Sequence, residues 1–251
     1  MSVSAQARQR IVLIGASSLI AEHCARLWAT VASDLVLIGR SSARLDRVAD
    51  DLRVRSPSST VSVRLADFDS PIEVAEMAKS IANEAPIDVV LIAHGNLPDQ
   101  QACQQSLALI REAIAANALS PILFAEAFAG RLLEQGRGTL AIIGSVAGDR
   151  GRRSNYVYGS AKGLIERYAQ GLSHRFSGHG PRVVLIKPGP TASPMTRHLP
   201  PKGLADPESV ARAIVAGIGR GRAVVYAPAR WWLIRMIIRH LPRFVFHKLD
   251  I

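Results

Sequence analysis

Short apolar runs rich in Val and Ile punctuate this chain at even intervals, at residues 11–15, 35–39, 61–65, 89–93, 140–144, 183–187 and 223–226. Short runs of that composition read as buried strands. The stretches between them carry helical periodicity, at residues 19–32, 43–54, 72–84, 107–133, 155–176 and 207–218. Strands that alternate with helices predict an α/β fold, a single-domain, Rossmann-like doubly wound parallel sheet of about seven strands with helices on both faces. A chain of 251 residues, 48% of them hydrophobic, suits one such core. We assign residues 1–228 to it and residues 229–251 to a C-terminal extension of the same domain.

Composition narrows the partners. Cys24 falls in a segment read as a helix and Cys103 in a loop at a helix start, so neither a disulfide framework nor a metal site is expected. The polar start, residues 1–9, runs into an apolar stretch too short for a signal-peptide core or a membrane span, which predicts a cytoplasmic protein. A net charge of +11 calls for a polyanion: cofactor phosphates, a phosphorylated substrate, anionic lipid or nucleic acid. The charge is spread over several loops with no reading motif, which argues against nucleic acid.

In doubly wound sheets ligands bind beyond the carboxyl ends of the strands. The first strand ends in Gly15-Ala16-Ser17-Ser18-Leu19-Ile20-Ala21 and enters a helix, so the backbone of Gly15, Ser17, Ser18, Leu19 and Ile20 can face a pyrophosphate. Leu19 and Ala21 stand where a dinucleotide fingerprint has Gly, which leaves an ordinary strand–helix turn as the alternative. Arg40, with Ser41 and Arg44, follows the second strand, where an acidic residue would bond the ribose of NAD and an arginine the 2′-phosphate of NADP. NADP(H) is therefore the preferred cofactor and NAD(H) the alternative, while a solvated helix start is the bland reading of Arg40. Asp67 either accepts from the adenine amino group or begins a turn.

Ser145 ends the fifth strand. Tyr158 and Lys162 follow four residues apart on the next helix, which puts phenol and ammonium on one face. A lysine beside a phenol is expected to lower the tyrosine pKa, so that Tyr158 exchanges a proton with a substrate oxygen held by Ser145. An amphipathic surface pair is the alternative. The Pro-rich segment 188–207 is long for a connection, as functional lids are.

Gly15, Asn117, Ser145, Tyr158 and Lys162, in this order and spacing, resemble the short-chain dehydrogenase/reductase family over nearly the whole chain. The resemblance implies an NAD(P)-dependent oxidoreductase acting on CH–OH or C=O groups. Tyr158 would then be the general acid, Lys162 would also bind the nicotinamide ribose, Ser145 would orient the carbonyl, and Asn117 would hold a relay water. It also implies cofactor contacts at Ala93 and Gly95, at Pro188-Gly189, and at Thr191 or Ser193 for the carboxamide, and assembly as dimer or tetramer. Ala93-His94-Gly95 departs from the family's Asn-Ala-Gly, with His94 either a cofactor-edge contact or a structural histidine.

Residues 147–160 and the tail from Ala227 to Ile251 are similar to one subgroup of the family, the reductases of decaprenylphosphoryl-2-keto-erythro-pentose. That implies a lipid-linked keto sugar substrate, a role in cell-wall polysaccharide synthesis, a partner FAD oxidase and a place at the inner face of the cell membrane. Arg150, Arg152 and Arg153, between Ser145 and Tyr158, are candidates to contact an anionic substrate group. The tail interleaves Arg230, Arg235, Arg239, Arg243 and Lys248 with Trp231, Trp232, Leu233 and Ile237, a pattern that suits either a membrane interface or a neighbouring subunit. A reductase for some other carbonyl or alcohol, or an inactive nucleotide-binding relative, is the remaining alternative.

Overall fold

In the computed structural model, residues 8–31, 33–198 and 200–249 are described. The expected polar start up to residue 7, the helix end at Ala32 and the terminal Asp250-Ile251 lie outside them. Seven strands, β1 (Arg10–Ile14), β2 (Asp34–Gly39), β3 (Thr60–Leu65), β4 (Val89–Ile92), β5 (Thr139–Ile143), β6 (Arg182–Pro188) and β7 (Val224–Ala227), form one sheet in the order β3-β2-β1-β4-β5-β6-β7. Every pairing is parallel. The order reverses between β1 and β4, the position where a doubly wound sheet opens a crevice.

Alternation along each strand feeds two cores. Ile11, Leu13, Leu35 and Leu37 face one side with α1 (Leu19–Ala29), α2 (Ser42–Arg55) and α8 (Pro207–Gly219). Val12, Ile14, Val36 and Ile38 face the other, against α3 (Pro71–Glu84), α6 (Ser120–Gln135) and α7 (Tyr156–Phe176), where Phe124 and Phe128 are fully buried. Helix starts follow local chemistry. Ser70 and Asp206 accept from Glu73 N and Ser209 N, and each is followed by a proline suited to the first helical position.

The segment expected as one helix over 107–133 runs on to Gln135 without a gap, but not as regular α-helix. After α4 (Gln100–Gln105), Ser106 caps α5 (Leu107–Ile114) by accepting from Leu109 N, and a π-helical segment, Ala115–Leu119, precedes α6. Cys103 therefore lies on α4 rather than in a loop, and both cysteines are buried and free. Residues Leu107–Gln135 are long and apolar enough to cross a membrane by length and composition alone, but here Phe124, Phe128 and Leu132 are packed on the sheet. The tail forms α9 (Arg230–His240) and α10 (Arg243–Phe246). Segment 188–207 holds a 3₁₀ turn, Pro194–Thr196, and a bridge from Thr191 to Ala205.

Candidate active site

A cavity of about 360 Å³ opens at the carboxyl ends of β1, β4, β5 and β6. Ser17, Ser18, Leu19 and Ile20 line it from the β1 turn, Ala93 and Gly95 from β4, Asn117 from the π segment and Ser145 from β5. Tyr158 and Lys162 enter from α7, and Pro188, Gly189, Thr191 and Ser193 close the far wall. Residues as far apart in sequence as Ser17 and Ser193 are thus brought to one crevice by the sheet order.

The backbone explains several of these placements. Gly15 has φ 76°, and a Cβ there would lie 2.6 Å from His94 Cβ, so the β1 turn and the β4 turn touch through a residue that only glycine satisfies. Ser18 caps α1 by accepting from Ala21 N at 3.3 Å, and the turn before it is closed by Gly15 N and Ala16 N donating to Ile38 O and Ser18 N donating to Gly15 O. The π segment swings Asn117 inward. Its Oδ1 accepts from Asn96 N at 2.9 Å, and its Nδ2 donates to Asn96 Oδ1 at 2.7 Å and Ala113 O at 2.9 Å.

Lys162 is buried, and Tyr158 is half-buried at the cavity wall. Lys162 Nζ lies 5.7 Å from the Tyr158 ring centre and donates to Ile143 O at 3.0 Å. Burial draws the Lys162 ammonium down to about 8. Burial also pushes the Tyr158 phenol up to about 12, a rise that a hydrogen bond with Ser145 only partly offsets. The expectation of a lowered tyrosine is therefore reversed, because desolvation of a phenolate outweighs the favourable neighbours. Near neutral pH the pair is a phenol beside an ammonium, the state that gives up a proton.

Other expected residues take different places. His94 Nε2 lies 3.0 Å from Ser120 Oγ, and its ring meets Phe68 edge-on at 4.6 Å. Burial holds it neutral, with a pKa of about 3, which fits the structural reading. Arg40 lies with its guanidinium 5.8 Å over Phe68, while Arg44 lines the crevice wall. Asp67 Oδ1 accepts from Asp69 N at 3.0 Å, the turn alternative. Thr191 Oγ1 donates to Gly189 O at 2.9 Å and Ser193 caps the 3₁₀ turn, so both shape the loop as well as line the cavity.

The three arginines separate. Arg150 turns to the tail, donating to Ile238 O at 2.5 Å and Leu241 O at 2.7 Å and stacking 3.8 Å over Phe246. It is removed from the substrate set. Arg153 is exposed and is not among the residues that line the cavity. Arg152 does line it, and its Nε is buried without a hydrogen-bond partner among the described residues. Burial works against its charge and draws its pKa below the ordinary guanidinium value. Asn155, which sequence reasoning passed over, shares that wall with a similarly orphaned Oδ1. No periodicity signals it, since it stands just before α7.

Comparison with known proteins gives the same picture. The short chain dehydrogenase family profile matches residues 9–203. An uncharacterised oxidoreductase of Mycobacterium tuberculosis is 31% identical over 246 residues, covering 95% of this chain and 96% of that protein. One of Streptomyces coelicolor is 32% identical over 245 residues, covering 96% of each. Among solved structures, a short-chain dehydrogenase from Sphingobium yanoikuyae in complex with NADPH has a TM-score of 0.78 at 25% identity, over 94% of this chain and 97% of that one. One from Burkholderia cenocepacia in complex with NADP has a TM-score of 0.83 at 18% identity, over 97% and 98%.

Proposed function

The chain belongs to the short-chain dehydrogenase family, and from that premise we propose that it is an NADP(H)-linked ketoreductase whose substrate carries an anionic group. The observation that carries the second half is Arg152, a guanidinium in the wall of the Tyr158 cavity with a buried N–H left unpaired. A buried guanidinium N–H without an acceptor is costly, and a phosphate or carboxylate oxygen satisfies it by a charge-assisted hydrogen bond. A 2-keto sugar carried on a polyprenyl phosphate has both the ketone and the anion, and the subgroup likeness of residues 147–160 and of the tail favours it. Such a ketone would be made from the alcohol by a partner flavin oxidase.

The residues fit a dinucleotide. The β1 turn presents backbone N–H groups at the α1 N-terminus, and a Cβ at Gly95 would sit 2.7 Å from Asn117 Oδ1, so that wall is kept free of side-chain bulk. Arg40 and Arg44 would hold the adenosine 2′-phosphate. NADPH, when bound there, would supply the hydride. Ser145 donates to the ketone oxygen and fixes it beside Tyr158 Oη. As the carbonyl carbon gains the hydride, the oxygen gains the phenol proton, and Lys162 stabilises the phenolate left behind. Asn117 ties the π segment to Asn96 and positions a water behind Lys162 for reprotonation.

The outer face of α9 shows Trp232, Leu233 and Ile237 to solvent beside Arg230 and Arg239, which suits an anionic membrane surface where a polyprenyl substrate resides. Leu19, Leu97 and Met195 in the cavity favour a second reading, a reductase of a neutral apolar ketone with the tail against another subunit.

Arg152→Met separates the two. The KM for a phosphorylated ketosugar should rise about 10- to 150-fold, the equivalent of one charge-assisted hydrogen bond, with a neutral ketone changed by less than about twofold. Equal effects on both substrates would refute the anionic reading.

A further inference from the structure

Behind the catalytic loop, away from the Tyr158 cavity, four charges meet. Lys187 of β6 is 1% exposed, and its Nζ donates to Asp149 Oδ1 and, at 2.6 Å, to Glu166 Oε2. Arg235 of α9 reaches the same two acids, with Nε 2.8 Å from Asp149 Oδ1 and its guanidinium 3.4 Å from Glu166 Oε1. It also donates to the Tyr226 hydroxyl of β7. Two cations thus balance two carboxylates in the interior. A second cavity, about 670 Å³ and without Ser145 or Tyr158, opens over this cluster, with Arg167 and Arg239 also on its wall.

Each member stands on an element that carries part of the active site. Asp149 ends the 3₁₀ turn Val146–Asp149 that begins directly after Ser145. That turn lies flat on α7, since a Cβ at Gly148 would be 2.8 Å from Gly163 N. Glu166 is one turn beyond Lys162 on α7, and Lys187 immediately precedes Pro188-Gly189. The tail is fastened to the same places. Arg150, next to Asp149, holds the carbonyls of Ile238 and Leu241, and Trp231 fills the space beside Gly189, where a Cβ would be 1.8 Å from its Nε1.

We propose that α9 is part of the catalytic scaffold, with Arg235 a positioning residue that fixes the Ser145 loop by balancing the charge of Asp149 and Glu166. The kinetic consequence rests on Ser145 acting in ketone reduction as described above. Removing one partner from a buried ion cluster strands a charge, and the structure relieves it where it is softest. Glu166 and Lys187 are held by a long helix and a central strand, whereas Asp149 sits on a four-residue turn. Without Arg235 the turn gives way, and Ser145 moves with it.

The test compares the full chain, Arg235→Met and Arg235→Met/Glu166→Gln by amide hydrogen exchange and by turnover of a neutral, water-soluble ketone with NADPH. Arg235→Met leaves two carboxylates for one ammonium, while the double variant restores one for one. Exchange across Val146–Asp149 should be at least about tenfold faster in the single variant, with kcat lowered by a similar factor and NADPH affinity unchanged. The double variant should recover both. Unchanged exchange in Arg235→Met, or no recovery in the double variant, would overturn the proposal whatever the substrate. Exchange that follows charge balance in a wild type that reduces no ketone would refute the ketoreductase reading instead and leave loop positioning standing.

Discussion

Lys162→Met tests the proton transfer most directly. Proton transfer to the ketone turns the Tyr158 phenol into a phenolate, and a cation nearby stabilises that product and the transition state leading to it. With Lys162 Nζ 5.7 Å from the ring and an effective dielectric of about 20, the attraction is about 3 kcal/mol, a factor of roughly 100 in rate. The charge is present only below the ammonium's pKa of about 8 and is lost as pH rises through it. The phenol, at about 12, stays protonated over the same range. At saturating NADPH and neutral ketone, wild-type kcat should be level from about pH 6 to 7, fall above about pH 8, and flatten roughly hundredfold lower near pH 10. Lys162→Met should be lower by roughly the same factor and level throughout, the two profiles meeting at high pH. A wild type that is level through pH 8, or a variant that keeps the fall, would refute the reasoning.

Two further outcomes follow from buried contacts. His94 stays neutral in the fold, with a pKa of about 3, while the unfolded chain binds a proton below its ordinary value of 6.5. Stability is therefore lost as pH falls below that value, by about 1.4 kcal/mol per unit and about 2 kcal/mol between pH 7 and 5. Urea unfolding of His94→Asn should lack this increment, and an equal acid loss in the variant would clear His94 of responsibility. Gly189→Ala drives a methyl into Trp231, so α9 should detach and trypsin should cut after Arg239 and Arg243 at least about tenfold faster. Unaltered cleavage would mean that the tail is held without that contact.

The sheet was legible because the inner strands β1, β4, β5 and β6 are buried on both faces and carry nearly unbroken apolar runs, and the seven runs differ from the strands by only a residue or so at their ends. The residues of the main cavity were legible because topology places strand ends together whatever the side chains between them. The π segment was not, since an apolar periodic stretch reads as regular helix. The sign of the Tyr158 shift was also hidden, because neighbours can be inferred from spacing but burial cannot. Arg150, read as a substrate contact, and Arg235, read as part of a membrane or subunit surface, were misplaced for the same reason: their partners lie 88 and 86 residues away on elements that only the fold brings near. Lys187, at the end of an apolar run, gave no hint that it closes a charge cluster.

The π segment Ala115–Leu119 makes chain length itself a constraint at this point. Such a segment carries one residue more than a regular helix needs, so losing a single residue there would let hydrogen bonding return to its ordinary pattern with the flanking turns kept in register. Asn117 would leave Asn96 and the cavity wall, although nothing in the core need be harmed. Selection for stability alone therefore has an easy path here that selection for the site must oppose, and directed evolution for thermostability should be expected to recover shortened, better-folded and inactive chains from this stretch.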